Sequence, residues 1–423
     1  MNKWLRRALL GGVAMTVLAA GAQADELSAL KAQLEALQAR VATVESRAAT
    51  LPEGVSLVTF ERGQQAGALK DELFDNGVLD RAPTSRGMTI SVTPTADLPA
   101  PVASIELSGF VRAIALWHTD GAANNGGLDH FDVHARGQID VAATVDTAVG
   151  RVTGGLQFRG DTWVNDAVTM MRTAWARWQM TDAMSLTFGR TGQIATLSNV
   201  SSTLAGVSLV PFGPDNTRRN QVRLTYGSGP FNFRFGIEGP SQDGGFNNNM
   251  PDFAASMGVD MGMVGFRAGG EVGKVRVGTG AKRTGYLVNA GIDMDMGSMV
   301  SFNSGFAYTK GLACDGLMNT GAPFGLAPGV ACFNGGNLVK AWTAVANMNF
   351  NLTETTTLAL SGGYYNAKND AVVDDGYSIG GALVWKPVDA LQFGLAASYF
   401  NTDLVAAGRD KNLVVGLAGW FFF

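Results

Sequence analysis

The chain has 423 residues, of which 46% are hydrophobic and only 16% charged, with 55 glycines and a formal charge of −4 at pH 7. This composition speaks against nucleic acid as a partner, and it suits one large β-structure better than two or three soluble domains. No uninterrupted apolar run of about 18 residues follows residue 24, so a protein that crosses a membrane with helices is excluded.

At the N-terminus, Lys3, Arg6 and Arg7 precede an apolar core from Ala8 to Ala20, and Ala22-Gln23-Ala24 forms a small-x-small site before Asp25. Residues 1–24 therefore read as a secretory signal peptide. Its removal takes lysine plus arginine from 32 to 29 against 36 acids, a mature charge of about −7, which speaks further against nucleic acid as a partner.

In the following segment, 25–50, Leu27, Leu30, Leu34, Leu37, Val41 and Val44 are spaced 3, 4, 3, 4, 3, which are the a and d positions of a coiled coil. Parallel association would pair Glu26 with Lys31, Gln33 with Gln38 and Arg40 with Glu45, without a like-charge pair. Leucine at both core positions leaves dimer and trimer open, and a single amphipathic helix against the barrel or the cell wall is the alternative. Pro52 and Gly54 end the helix, and Pro83, Pro94, Pro99 and Pro101 deny residues 51–103 a long regular element. That stretch reads as a periplasmic linker.

From residue 104 to 423 the pattern is β. The clearest strand runs from Phe131 to Asp146, where Phe131, Val133, Ala135, Gly137, Ile139, Val141, Ala143 and Val145 alternate with Asp132, His134, Arg136, Gln138, Asp140, Thr144 and Asp146. Successive strand side chains point to opposite faces, so this strand has one apolar and one charged face. Its length, about three times that of an ordinary strand, favours a membrane wall. Such alternation recurs in Val152–Asp161 and Phe231–Glu238.

A count along the chain predicts sixteen strands near 104–118, 129–146, 150–161, 167–180, 184–191, 219–227, 230–238, 252–261, 263–272, 284–296, 299–310, 337–350, 356–366, 377–386, 390–401 and 412–423. The expected fold is an all-β, sixteen-stranded antiparallel transmembrane barrel preceded by a short coiled-coil helix. The one ambiguous stretch is Gly269–Thr284, where Val275 and Val277 read equally as a strand of their own, leaving fourteen to eighteen strands open. Short turns alternate with longer loops at 119–128, 192–218, 239–251, 311–336 and 402–411, which places the long loops outside the cell.

The last strand alternates through Leu413, Val415, Leu417, Gly419 and Phe421 to a terminal Phe423, and resembles the C-terminal strand of Gram-negative outer-membrane proteins. With the heptads and the segments Leu107-Ser-Gly-Phe-Val-Arg112, Met171-Arg-Thr-Ala-Trp175, Phe188-Gly-Arg190 and Arg219-Asn-Gln-Val-Arg223, the chain as a whole resembles trimeric porins of the DcaP type. The resemblance implies a homotrimer in the Gram-negative outer membrane, surrounded by its lipid. It also implies a third external loop folded into the pore, a preference for small anions such as dicarboxylates, and Phe423 read by the barrel-assembly machinery.

By count, the third external loop is Gly192–Arg218, with Asp215 its one acid. The polar phases around it supply Arg136, Arg151, Arg159, Arg219, Arg223 and Arg234, while the phases of Arg172 and Arg190 stay open. Arginine holds its charge and grips carboxylates with a planar fork, so such a ladder would draw anions and other small hydrophilic solutes of negative charge. The bland alternative is a mixed Arg/Asp wall that orients water. Cys314 and Cys332 share one external loop of an exported chain, where a disulfide closing about 19 residues is expected, worth about 3 kcal/mol of loop entropy.

No cofactor or metal is expected. His130 and His134 share a strand face but would stand roughly 13 Å apart, and no G-x-S-x-G elbow occurs. The function expected is a water-filled porin. The competing readings are an envelope tether whose barrel is an anchor, and an outer-membrane hydrolase.

Overall fold

The computed structural model describes residues 57–62, 87–93, 103–119, 130–162, 170–195, 203–204, 207–208, 218–240, 250–277, 281–312, 333–334, 337–369, 372–404 and 408–423. The expected leader, the heptad seam from Leu27 to Val44, Asp215, Cys314 and Cys332 lie outside the described residues. The chain divides into two compact units, Met1–Thr59 with Ser91–Val102, and Phe60–Ile90 with Ala103–Phe423. Two short strands, Leu57–Arg62 and Met88–Thr93, are described ahead of the barrel.

The barrel strands are β1 (Ala103–His118), β2 (His130–Thr147), β3 (Gly150–Asp161), β4 (Met170–Gln179), β5 (Met184–Gly192), β6 (Arg218–Ser228), β7 (Phe231–Glu238) and β8 (Asp252–Asp260). They continue as β9 (Val264–Val277), β10 (Ala281–Asp295), β11 (Val300–Lys310), β12 (Lys340–Thr353), β13 (Thr356–Asn369), β14 (Val372–Val388), β15 (Leu391–Leu404) and β16 (Gly408–Phe422). Each pairs antiparallel with the next, and β16 returns to β1 through Phe422 opposite Phe110. The seam is finished by the last residue: Gly109 donates to the Phe423 carbonyl at 2.9 Å and Phe423 donates back at 3.1 Å. Closure leaves no strand edge, which a sheet in lipid requires.

The two faces follow the alternation. On β2, Phe131 and Val133 are 67% and 65% exposed, while Gln138 and Asp140 of the other phase are buried. Since the outer face meets lipid rather than water, its exposed apolar residues are the normal state of such a wall. Polar residues dominate the inside: Glu106, Ser108, Thr153, Gln157, Thr173, Thr187, Gln221, Asn289, Thr343, Asn347, Ser361 and Ser398 are all buried in the inward phase.

Tight turns join the strands at one end. Gly262 and Gly297 take φ of 84° and 82° there, the left-handed region that glycine enters without steric cost. The other end carries the long connections and is therefore external.

The ambiguous stretch is resolved as one hairpin: β9 continues through Val275 to Val277, which pairs with Ala281 of β10. Its alternation misleads because the faces are inverted there. Val275 points inward and packs with Leu312 and Leu338, whereas Lys274 in the other phase donates to Thr284 at 2.7 Å. Likewise β14 starts at Val372 and β15 reaches Leu404, several residues beyond the expected ends. The added residues, Val372-Val373-Asp374-Asp375 and Thr402-Asp403-Leu404, do not alternate apolar with polar, so the ladder continues where the period stops.

Candidate functional site

The structure places Gln193, Ile194 and Ala195, directly after β5, inside the barrel. Ile194 and Ala195 are fully buried, packed with Ala254 of β8, Leu287 of β10, Ala307 of β11, Val339, Ala341 of β12 and Ala367 of β13. The Ile194 amide donates to Glu238 Oε1 at 2.5 Å, Gln193 donates to Glu271, and Asn289 Nδ2 donates to the Ala195 carbonyl at 2.6 Å. Gly269 permits this approach, since a Cβ there would stand 2.1 Å from the Ala195 oxygen. Further along, Thr203–Leu204 pairs with Val207–Ser208, and Val207–Ser208 lies against β15 and β16. These two strands contribute Phe400 and Val414 to an inward-facing apolar cluster with Ile114 and Leu116 of β1.

Beneath this loop root sits a charged knot. Arg219 of β6 reaches Asp252 at 3.1 Å and Glu271 at 3.3 Å and also donates to the Gly239 carbonyl. Glu238 stands directly opposite Asp252 across β7 and β8. Charges this buried are tolerated only when paired, and the knot ties four strands to each other and to the loop.

On β2 to β4 a second network forms. Arg159 donates from Nε and Nη2 to Gln138 Oε1 at 3.2 and 3.0 Å, and Arg172 Nη1 donates to Gln157 Oε1 at 3.1 Å. Both glutamines donate to Asp140. Arg136 faces Arg112 across β1 and β2, and Arg112 lies over the Trp420 ring, 5.9 Å from its centroid.

Of the arginines expected to line the interior, Arg136, Arg159, Arg219, Arg223 and Arg234 all lie in the inward phase. Arg219 and Arg223 are the most enclosed, 9% and 3% exposed. A register shift between Gln157 and Phe158 resolves Arg172, bringing it to the same side as Gln157. Arg190 shares the phase of the exposed Phe188 instead and donates to the Arg172 carbonyl. Arg151 sits at the tight-turn end, largely exposed and paired with Asp146.

Sequence reasoning missed Gln138, Asp140 and Gln157 as a unit, and missed the acids Glu238, Asp252 and Glu271 as partners of Arg219. All six were visible in the polar phases, but cross-strand register was needed to bring them together. Among the described residues no group of three His, Cys, Asp or Glu side chains could hold a metal.

A closed sixteen-stranded wall with a polar interior and an apolar exterior, with Gln193–Ala195 packed inside it, defines an outer-membrane β-barrel channel. The chain belongs to the porin subfamily, whose family model matches residues 103–415, and it is a protein of the Gram-negative outer membrane. Among solved structures it is similar to the outer membrane channel DcaP of Acinetobacter baumannii, at 16% identity over 76% of this chain and 97% of that one, TM-score 0.60. It is also similar to the anion-selective porin from Comamonas acidovorans, at 12% identity over 76% and 100% of the two chains, TM-score 0.55. OmpT of Vibrio cholerae in its trimer form matches at 13% identity over 76% and 100%, TM-score 0.50. At such identities the likeness is one of fold. No curated protein matches the chain in sequence.

Proposed function

We propose that this porin passes small hydrophilic solutes and favours anions, carboxylates among them, through inward-facing arginines set beside an inward-folded third loop. The observation that supports this most directly is the placement of Arg136, Arg159 and Arg172 in the inward phase of β2 to β4. They lie in the external half of the wall, level with the loop that leaves β5. A permanent cation in a narrow, partly dehydrated passage attracts anions far more strongly than it would in bulk water. The knot around Arg219 has a different role: its carboxylates consume that charge, so Arg219 anchors the loop root while the β2 to β4 arginines set the field.

In the same reading the chain assembles as a homotrimer, with residues 27–44 forming a parallel seam, residues 1–24 removed on export, and residues 51–103 linking seam to barrel. Cys314 and Cys332 bridge one external loop, so mass spectrometry without reduction should find their peptides linked, and free thiols would refute the bridge. Family and fold point to a channel rather than an enzyme.

The test of selectivity is the reversal potential of the purified protein in a planar bilayer under a potassium chloride gradient. An anion-selective sign is expected. A cation-selective sign would overturn the proposal.

A further inference from the structure

Asp140 is 3% exposed and accepts hydrogen bonds from two glutamines. Gln138 Nε2 donates to its Oδ1 and Oδ2 at 3.2 and 3.0 Å, and Gln157 Nε2 donates to its Oδ1 at 2.8 Å. The arrangement follows from register, because Asp140 stands opposite Gln157 and Gln138 stands opposite Arg159 across β2 and β3. A carboxylate only accepts, whereas a carboxamide has a donating end and an accepting end. Asp140 therefore holds the NH2 end of both glutamines, and their oxygens turn toward the arginines. Gln138 Oε1 takes Arg159, and Gln157 Oε1 takes Arg172. One buried anion is thus linked through two neutral spacers to two cations.

We infer that Asp140 is a positioning residue for anion selectivity: by orienting Gln138 and Gln157 it sets where Arg159 and Arg172 present their charge in the lumen. This rests on the anion-selective reading above. It makes a counterintuitive demand, because deleting a negative charge from a pore wall by itself favours anions. If Asp140 acts through orientation, deleting it favours cations. An asparagine keeps one accepting oxygen but replaces the other with a donating NH2, so the bond that Gln138 makes to Oδ2 is lost and a donor stands in its place. Its own NH2 would compete with an arginine for a glutamine oxygen.

The experiment is a cycle of reversal potentials in potassium chloride gradients, using full-length protein whose barrel is checked by heat-modifiable migration in gels. Asp140→Asn should shift the wild-type potential toward cations. In the Arg159→Gln/Arg172→Gln background, where nothing remains to be positioned, the same substitution should shift it toward anions. Gln138→Leu with Gln157→Leu changes no formal charge and should reproduce the cation shift, which keeps the idea testable if Asp140→Asn fails to fold. An anion shift for Asp140→Asn in the wild-type background overturns the inference and leaves the anion-selective reading standing. An unchanged potential in the glutamine double variant does the same. A cation-selective wild type overturns both.

Discussion

The backbone amide of Ile194 donates to the Glu238 carboxylate at 2.5 Å, joining the loop after β5 to the end of β7. With Gln193 held by Glu271 and Ala195 by Asn289, the loop root is fastened to three strands of the wall. A hydrogen bond to a charged group contributes about 1.5–3 kcal/mol. Glu238→Ala should loosen the root while leaving the barrel closed. The expected outcome is higher single-channel conductance with more frequent current fluctuations, recorded in planar bilayers, and a quiet trace of wild-type amplitude would show that the seat does not depend on this bond.

Arg219 satisfies two buried acids at once, Asp252 and Glu271. Arg219→Met would take the paired cation from both, and losing one partner of a buried pair costs about 3–5 kcal/mol. The temperature at which the folded gel band converts to the unfolded one should fall markedly. The further substitution of Asp252 by Asn and Glu271 by Gln should restore part of the loss, since those charges are then gone.

Selectivity should respond to placement rather than to total charge, because the chain as a whole is acidic and distant charges are screened beyond about 8 Å at physiological salt. Arg136→Ser, Arg223→Ser and Arg234→Ser together should move the reversal potential toward cations. Folding should survive, as inward positions tolerate polar side chains. A triple variant with the wild-type potential would remove these arginines from the account of selectivity.

Assembly is expected to depend on the heptad segment. Asp at Leu34 and Leu37 would remove about 2–3 kcal/mol of burial at each site before the charge itself is counted. The oligomer should dissociate more readily in mild detergent, while monomers keep heat-modifiable barrels. Unchanged oligomer mass by native mass spectrometry would make the helix a stalk or tether.

By itself the sequence determined the wall. Period-2 alternation over sixteen segments was enough to name the strands, their faces and the long-loop end, because a membrane imposes one simple rule, apolar outward, on every residue it touches. It failed where that rule no longer holds: the upper part of β9, where Val275 faces inward and Lys274 faces outward, and the extended ends of β14 and β15. The arginines were equally legible as a phase, yet their meaning was not. Only the tertiary structure decided that Arg219 is spent on Asp252 and Glu271, that a bulge turns Arg172 toward Gln157, and that Gln193, Ile194 and Ala195 dock on inward residues of strands β7 to β13. Each of these depends on which residues stand opposite one another across strands, or on contact between positions such as 193 and 271 that lie far apart in the chain. Alternation along a single strand carries no record of its partner's register.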